Sequence, residues 1–344
     1  MNASKAAFVL AVSALLAAPR AQAVKITEYV AEGNPQRITT GPDGRLWFCE
    51  GTGFKVGAIT TSGALTEYPT ETGAECEGIT AAFGDIWITE ATYKGQLGQL
   101  NVAGYYGASP GGTDPTGITS GDDGRVWWVD GLANIVRALR IWGNAPPTTT
   151  YTLSAGASPA DIALGPDGRM WVTEYAGDAI AACDPSGTTC IEYSLAHGAN
   201  PLGIAAGPDG NLWIAESGLN RIQRMTVGGA INGTFPVPTA SSSPSFITAG
   251  RDGYLWFTEA SGNKIALITT SGEIVEYPIP TPASLPWGIT AGPDGAIWFA
   301  EASGQKIGRL ELHVPGDMNG DGSVNIADVF TLINFLFAGG PLPD

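Results

Sequence analysis

Short apolar runs, most of them closed by a carboxylate, recur along the chain. Leu46-Trp47-Phe48-Cys49-Glu50 is the first, and relatives end at Glu90, Asp130, Glu174, Glu216, Glu259 and Glu301. Turn-forming segments precede them, such as Gly41-Pro42-Asp43-Gly44, in which proline presets the first bend and glycine supplies a positive φ. Runs this short, bounded in this way, predict strands, and their mostly apolar character predicts burial on both faces. The tryptophans of the seven runs, Trp47, Trp87, Trp127, Trp171, Trp213, Trp256 and Trp298, are 40, 40, 44, 42, 43 and 42 residues apart. A period of about 40 to 45 residues built from short strands indicates a β-propeller.

One repeat shows the expected blade. Trp287-Gly288-Ile289-Thr290 reads as an inner strand whose glycine permits crowding near the axis, Ala296 to Glu301 as the second strand, and Lys306 to Leu310 as the third. Elsewhere a Thr-Ser-Gly hairpin, as at Thr61-Ser62-Gly63, leads to an outer strand such as Leu65-Thr66-Glu67-Tyr68. The seventh repeat stops after its third strand, whereas Ile26-Thr27-Glu28-Tyr29 matches the outer strand Ile274-Val275-Glu276-Tyr277 and has no blade of its own. The N-terminal strand is therefore expected to pair with the strand around Lys306 to Leu310 and close the ring, which removes exposed sheet edges. The expected fold class is all-β: a seven-bladed propeller of four-stranded blades over residues 24–314, followed by a short module at 315–344.

Composition narrows the function. With 44% hydrophobic residues the chain is not a disordered polymer, although glycine (48) and proline (24) make it turn-rich. The 33 Asp and Glu against 17 Lys and Arg give a net charge of −16, and the basic residues are scattered singly, so no nucleic-acid partner is expected. Residues 1–23 read as an export signal: Lys5, an apolar run from Ala6 to Ala18, then Ala21-Gln22-Ala23 as a cleavage site. That run is too short to span a bilayer, and no other segment is a candidate span. In a secreted chain the four cysteines are disulfide candidates, and their positions suggest Cys49 with Cys76 at one rim and Cys183 with Cys190 across a hairpin of the fourth blade.

Residues common to all repeats serve what every blade needs. The acidic ring at the strand ends is thus expected to be structural, each carboxylate accepting N–H groups from loops or the neighbouring blade, with a cation site at the mouth as the alternative. Recognition is expected where the repeats differ. At the first inner-strand position they carry Gln36, Glu77, Thr116, Ala160, Leu202, Ser245 and Trp287, followed by Arg37, Gly78, Gly117, Asp161, Gly203, Phe246 and Gly288. Gln36, Arg37, Glu77, Asp161, Phe246 and Trp287 are candidates to line a small-ligand pocket or a glycan-stacking platform, and Glu301 is an acidic candidate at the same rim.

The stretch Gly-Asn-Lys-Ile-Ala-Leu-Ile-Thr-Thr-Ser-Gly-Glu-Ile-Val-Glu-Tyr-Pro-Ile-Pro-Thr-Pro at residues 262–282 resembles the streptogramin B (virginiamycin B) lyases. These are seven-bladed propellers that open a cyclic depsipeptide lactone by Mg²⁺-dependent elimination. The resemblance spans about residues 25–312 and implies the fold, with Mg²⁺ or another divalent ion at the funnel if the chain is an enzyme. The family's sixth-blade Pro-His corresponds to Pro244-Ser245, its seventh-blade Glu-Pro-His to Leu285-Pro286-Trp287, and its first-blade Pro-Tyr to Pro35-Gln36. The acidic end of the seventh second strand is kept as Glu301. The chain has two histidines, His197 in a loop and His313 after the last strand. Elimination needs a base for the proton α to the ester and an acid or metal for the developing charge; Glu77 and Glu301 are candidate bases, but no imidazole is expected at the rim.

The tail carries a separate motif. Asp317-Met318-Asn319-Gly320-Asp321-Gly322-Ser323-Val324-Asn325-Ile326-Ala327-Asp328 places oxygen donors at loop positions 1, 3, 5, 9 and 12 and glycine at position 6, as in an EF-hand Ca²⁺ loop. Asp317, Asn319, Asp321 and Asp328 offer side-chain oxygens, Ser323 its carbonyl, and Asn325 a water-mediated contact. Aspartate at position 12 and the short helix expected from Val329 to Phe337 resemble a single dockerin repeat. Dockerins normally contain two repeats. The helix is apolar on most sides, which implies a cover: the propeller, a second copy of the chain, or a cohesin-like partner. The leading reading is a secreted binding or scaffold propeller, taking a small molecule or glycan at its rim, with a calcium-binding docking tail. The second is an extracellular metal-dependent lyase or lactonase acting at the funnel.

Overall fold

A computed structural model describes residues 23–70, 75–90, 95–103, 106–110, 112–141 and 148–313. Residues 26–309 form one compact unit; of the second, made of the two chain ends, only 23–25 and 310–313 are described. Among the described residues, 28 strands form seven four-stranded sheets. Blade 1 consists of Pro35–Thr40, Leu46–Glu50, Lys55–Ile59 and Leu65–Pro69, and the same order of inner, second, third and outer strand repeats to blade 6, Pro244–Ala249 through Ile274–Pro278. Each inner strand packs against the next, and that of blade 7, Pro286–Ala291, packs against that of blade 1, so the ring is closed.

Blade 7 is completed as the repeats imply, with Ala23–Val30 beside Lys306–His313. The N-terminal strand supplies the same contacts as an ordinary outer strand. Glu28 accepts Lys306 Nζ at 2.8 Å and the Thr281 N–H at 2.9 Å, just as Glu276 in blade 6 accepts Lys264 Nζ at 2.6 Å and the Thr239 N–H at 2.8 Å. Tyr29 stacks on Trp298 at 5.8 Å between centroids, the place that Tyr68 takes on Trp47 and Tyr277 on Trp256.

The second strands are the core. Trp47, Trp127, Trp171, Trp213, Trp256 and Trp298 are fully buried, and their indole N–H groups donate to Asp43, Asp123, Asp167, Asp209, Asp252 and Asp294 of the preceding turns at 2.9 to 3.2 Å. Burying an indole requires such an acceptor. Blade 2 departs from the rule: its turn is Phe83-Gly84, and Trp87 Nε1 has no partner among the described residues.

Neighbouring blades are latched through asparagines that open the third strands. Asn134, Asn220 and Asn263 adopt φ of 53°, 52° and 54°, a conformation asparagine tolerates. Their Oδ1 atoms accept the N–H groups of Ser158, Ser242 and Ser284 in the following blade at 2.7, 2.8 and 2.7 Å. Both expected disulfides are present, Cys49–Cys76 joining blades 1 and 2, and Cys183–Cys190 joining the paired third and outer strands of blade 4. No helix among the described residues is long and apolar enough to cross a membrane. The expected export signal and the tail module lie outside the described residues.

Candidate functional site at the propeller mouth

A repeated irregularity builds the mouth. Each inner strand starts with proline, or Cys76 in blade 2, directly opposite a member of the acidic ring: Pro35 faces Glu50, Cys76 faces Glu90 and Pro286 faces Glu301. Proline fits a strand start because no ladder N–H is needed there. In the six proline blades pairing resumes three residues later, as with Ile38 opposite Phe48 and Ile289 opposite Phe299. The two residues after the proline leave the ladder, and a bulge of this kind re-aims side chains, here toward the axis.

In blades 2, 3, 5 and 7 the second of these positions is glycine, because there is no room for more. A Cβ on Gly288 would come within 2.4 Å of the Gln36 carbonyl oxygen and 2.8 Å of Arg37 Cα. The three blades without glycine there contribute Arg37, Asp161 and Phe246, and these side chains interlock at the axis. Arg37 of blade 1 reaches Asp161 of blade 4, Nη1 to Oδ1 at 3.1 Å, and lies 3.6 Å from the centroid of Phe246 of blade 6. Asp161 also accepts the Ile204 N–H at 3.2 Å. Burial pushes the Asp161 carboxyl up, and Arg37 and the backbone donors oppose that shift.

Arg37 and Phe246 line two spaces, so the cluster floors one and roofs the other. Below it lies an inner channel of about 280 Å³, and above it a cavity of about 530 Å³ open at the rim. Glu77 and Asp114 of blades 2 and 3 lie on one side of the cavity, and Phe246, Leu285 and Trp287 of blades 6 and 7 on the other. Phe246 and Trp287 meet edge to face, 5.2 Å apart at 69°. Burial pushes both Glu77 and Asp114 above the ordinary carboxylate range; neighbouring acids add to this, Glu75 and Asp114 for Glu77 and Asp130 for Asp114, while Arg37 partly offsets it at Glu77.

Of the rim candidates, Arg37, Glu77, Phe246 and Trp287 line the cavity, and Asp161 lines the channel beneath it. Gln36 and Glu301 are not brought to either space. Gln36 lies over Gly51, where a Cβ would stand 2.3 Å from its Nε2, and Glu301 is wholly buried. Asp114 and Tyr175 were not among the sequence candidates; each sits in a loop flanking a strand end, one residue before Pro115 and one after Glu174. The available signal was their position beside the repeat's most regular residues.

The acidic ring is buried, but its members are not uniformly bonded as the repeat suggested. Asp130 accepts the N–H groups of Thr113 at 2.7 Å and Ala133 at 3.0 Å, and Glu216 pairs with Arg221. By contrast, neither carboxyl oxygen of Glu259 or Glu301 has a hydrogen-bond partner among the described residues. Burial, reinforced by a neighbouring carboxylate in each case, pushes Glu50, Glu174, Glu259 and Glu301 up to about 7, so these four are held largely as neutral acids in mildly acidic solution. Among the described residues no group of three or more His, Cys, Asp or Glu is arranged to hold a metal ion. The calcium candidates Asp317, Asn319, Asp321, Ser323, Asn325 and Asp328 lie outside the described residues.

The model of the Virginiamycin B lyase family matches residues 105–318. The chain belongs to that family. Among solved structures, a streptogramin B lyase is 33% identical with a TM-score of 0.78, over 84% of this chain and 98% of that one. The virginiamycin B lyase of Staphylococcus aureus is 32% identical with a TM-score of 0.77, over 84% and 100%. A catalytically inactive histidine-to-alanine variant of the S. aureus enzyme, solved with quinupristin, aligns at 31% identity and the same TM-score over the same shares. No curated protein sequence matches. Against this lyase background, no histidine lines the cavity among the described residues: His197 is exposed on a loop beside Asp178, 3.2 Å away, and His313 ends the third strand of blade 7.

Proposed function

We propose that the protein is a secreted binding module that holds a small ligand in the mouth cavity and docks through a calcium-binding C-terminal loop. The observation that carries this reading is a floored cavity of about 530 Å³ whose described lining offers carboxylates and aromatic rings but no imidazole. Loss of one histidine makes the S. aureus relative catalytically inactive. The positions of the family's Pro-His pairs carry Ser245 and Trp287 here, and Trp287 replaces a proton-transfer group with contact area. Two disulfides are compatible with an extracellular or periplasmic location. The spacing of Asp317, Asn319, Asp321 and Asp328 supports calcium, and the apolar segment after it supports a protein partner, cohesin-like or a second copy.

The second reading, a lyase or lactonase using Mg²⁺ or another divalent ion at the funnel, is favoured by family membership and by the carboxylates Glu77 and Asp114 on one wall. Calorimetric titration of the full-length protein with glycans, lactones and Ca²⁺ separates the parts of the leading proposal. A rim ligand is expected to bind the parent and to be lost in Trp287→Ala, and Ca²⁺ binding to disappear in Asp317→Ala/Asp321→Ala. Rim binding indifferent to Trp287, or a calcium isotherm unchanged in the double variant, contradicts it.

A further inference from the structure

We infer that the mouth cavity takes a small amphipathic organic cation, with its ammonium group between Glu77 and Asp114 and its apolar body against Trp287 and Leu285. This rests on the binding-module reading and adds the chemical class of the ligand. In a ring of seven, blade 6 stands opposite the boundary between blades 2 and 3. The cavity is therefore polarised, with carboxylates on one wall and Phe246, Leu285 and Trp287 on the opposite one.

Among the described residues the one cation in the lining, Arg37, is already committed. Arg37 is held by Asp161 and by the face of Phe246, so its charge is spent on the floor and is not free to receive an anion. Glu77 and Asp114 have no hydrogen-bond or ion-pair partner for their carboxylates among the described residues. Half-burying two neighbouring acids, with only the Asp161-paired Arg37 partly offsetting the charge at Glu77, raises the free energy of their ionised forms, a cost that a ligand ammonium relieves through charge-assisted hydrogen bonds. On the other wall Leu285 is 39% exposed and Trp287 half-buried, leaving apolar area for a ring or short chain. Three of the lining serines already spend their hydroxyl protons within the protein, which leaves fewer donors for a polyhydroxylated ligand. Ser217 Oγ donates to the Asn200 carbonyl at 2.8 Å, Ser245 Oγ to the Ser243 carbonyl at 3.0 Å, and Ser261 Oγ to Ser243 Oγ at 3.1 Å. The volume suits such a molecule, since small-ligand pockets span about 300 to 1,000 Å³.

Three probes of nearly equal size test the charge directly: 2-phenylethylamine, 2-phenylethanol and 3-phenylpropanoate, titrated into the full-length protein at pH 7 and low salt with ligand-observed NMR. The amine is expected to bind at least about tenfold more tightly than the alcohol, and the carboxylate not measurably. Glu77→Gln is expected to remove most of that preference by weakening the amine far more than the alcohol, whereas Trp287→Ala weakens both. Asp114→Asn serves the same comparison if Glu77→Gln fails to fold. Equal affinity of amine and alcohol, a preference unchanged in the carboxylate variant, tightest binding by the carboxylate, or binding by none of the three overturns this inference. The glycan and lactone titrations decide the binding-module reading separately.

Discussion

The buried acid Glu259 predicts an inverted pH dependence of stability. Its carboxyl is fully buried at the end of the blade 6 second strand, neither oxygen has a hydrogen-bond partner among the described residues, and the Ser242 hydroxyl donates to Asn220 instead. Burial, with the nearby Glu276 carboxylate adding to it and Ser242 and Lys264 only partly opposing it, pushes the group from its ordinary 4.5 up to about 7. A folded-state value above the unfolded one means that the unfolded chain releases this proton first as pH rises. The folded state is therefore favoured in full below about pH 4.5, and the contribution is lost as pH passes 7. The difference corresponds to roughly 3 kcal/mol for the site, an upper figure that local rearrangement reduces. Glu259→Gln keeps the shape and removes the ionisation. Urea unfolding followed by tryptophan fluorescence at pH 4.5, 6 and 8 is expected to show parent and variant nearly equal at pH 4.5, and the variant more stable at pH 8 by roughly 1 to 3 kcal/mol. Parallel pH profiles, or a variant less stable at pH 8, would refute the reasoning that this acid is buried without a partner.

Other expectations follow from single contacts. Tyr29→Ala empties the slot against Trp298 that joins the chain ends and is expected to cost about 2 to 3 kcal/mol, read as a lower urea midpoint. Asp294→Ala leaves the buried Trp298 indole N–H without its acceptor and removes the Arg309 ion pair, for a loss of about 1 to 3 kcal/mol by the same assay. Replacing Cys49 and Cys76 by serine is expected to destabilise more than replacing Cys183 and Cys190, by about 1 kcal/mol. The first bridge closes a separation of 27 residues and the second one of 7, and loop entropy grows with length.

The fold was legible because its signal is repeated. Seven Trp-centred runs specify the blades, and the match of Glu28-Tyr29 to Glu276-Tyr277 identifies the closing strand even though its partner lies near the other end of the chain. The site was legible only in part. Rim residues stood out because they break the repeat: Glu77, Phe246 and Trp287 do line the cavity, and Arg37 reaches Asp161 on the far side of the ring. Gln36 holds the same first bulged position as Glu77 and Trp287, which do line the cavity, but packs over Gly51 instead, a difference between blades that the repeat does not show. Nor does it show depth: Glu301 occupies a strand end at the correct rim but is fully buried. Asp114 and Tyr175 lie in loops, where the repeat supplies no register by which to assign them a face.

As proposed, this member of the lyase family binds a ligand at its mouth without the family's elimination chemistry. The most direct test is prolonged incubation of the full-length protein with quinupristin and Mg²⁺, followed by chromatography, since ring opening by elimination leaves the mass unchanged. No conversion above the protein-free control is expected. Conversion that requires the metal and is abolished in Glu77→Gln or Glu301→Gln would contradict it.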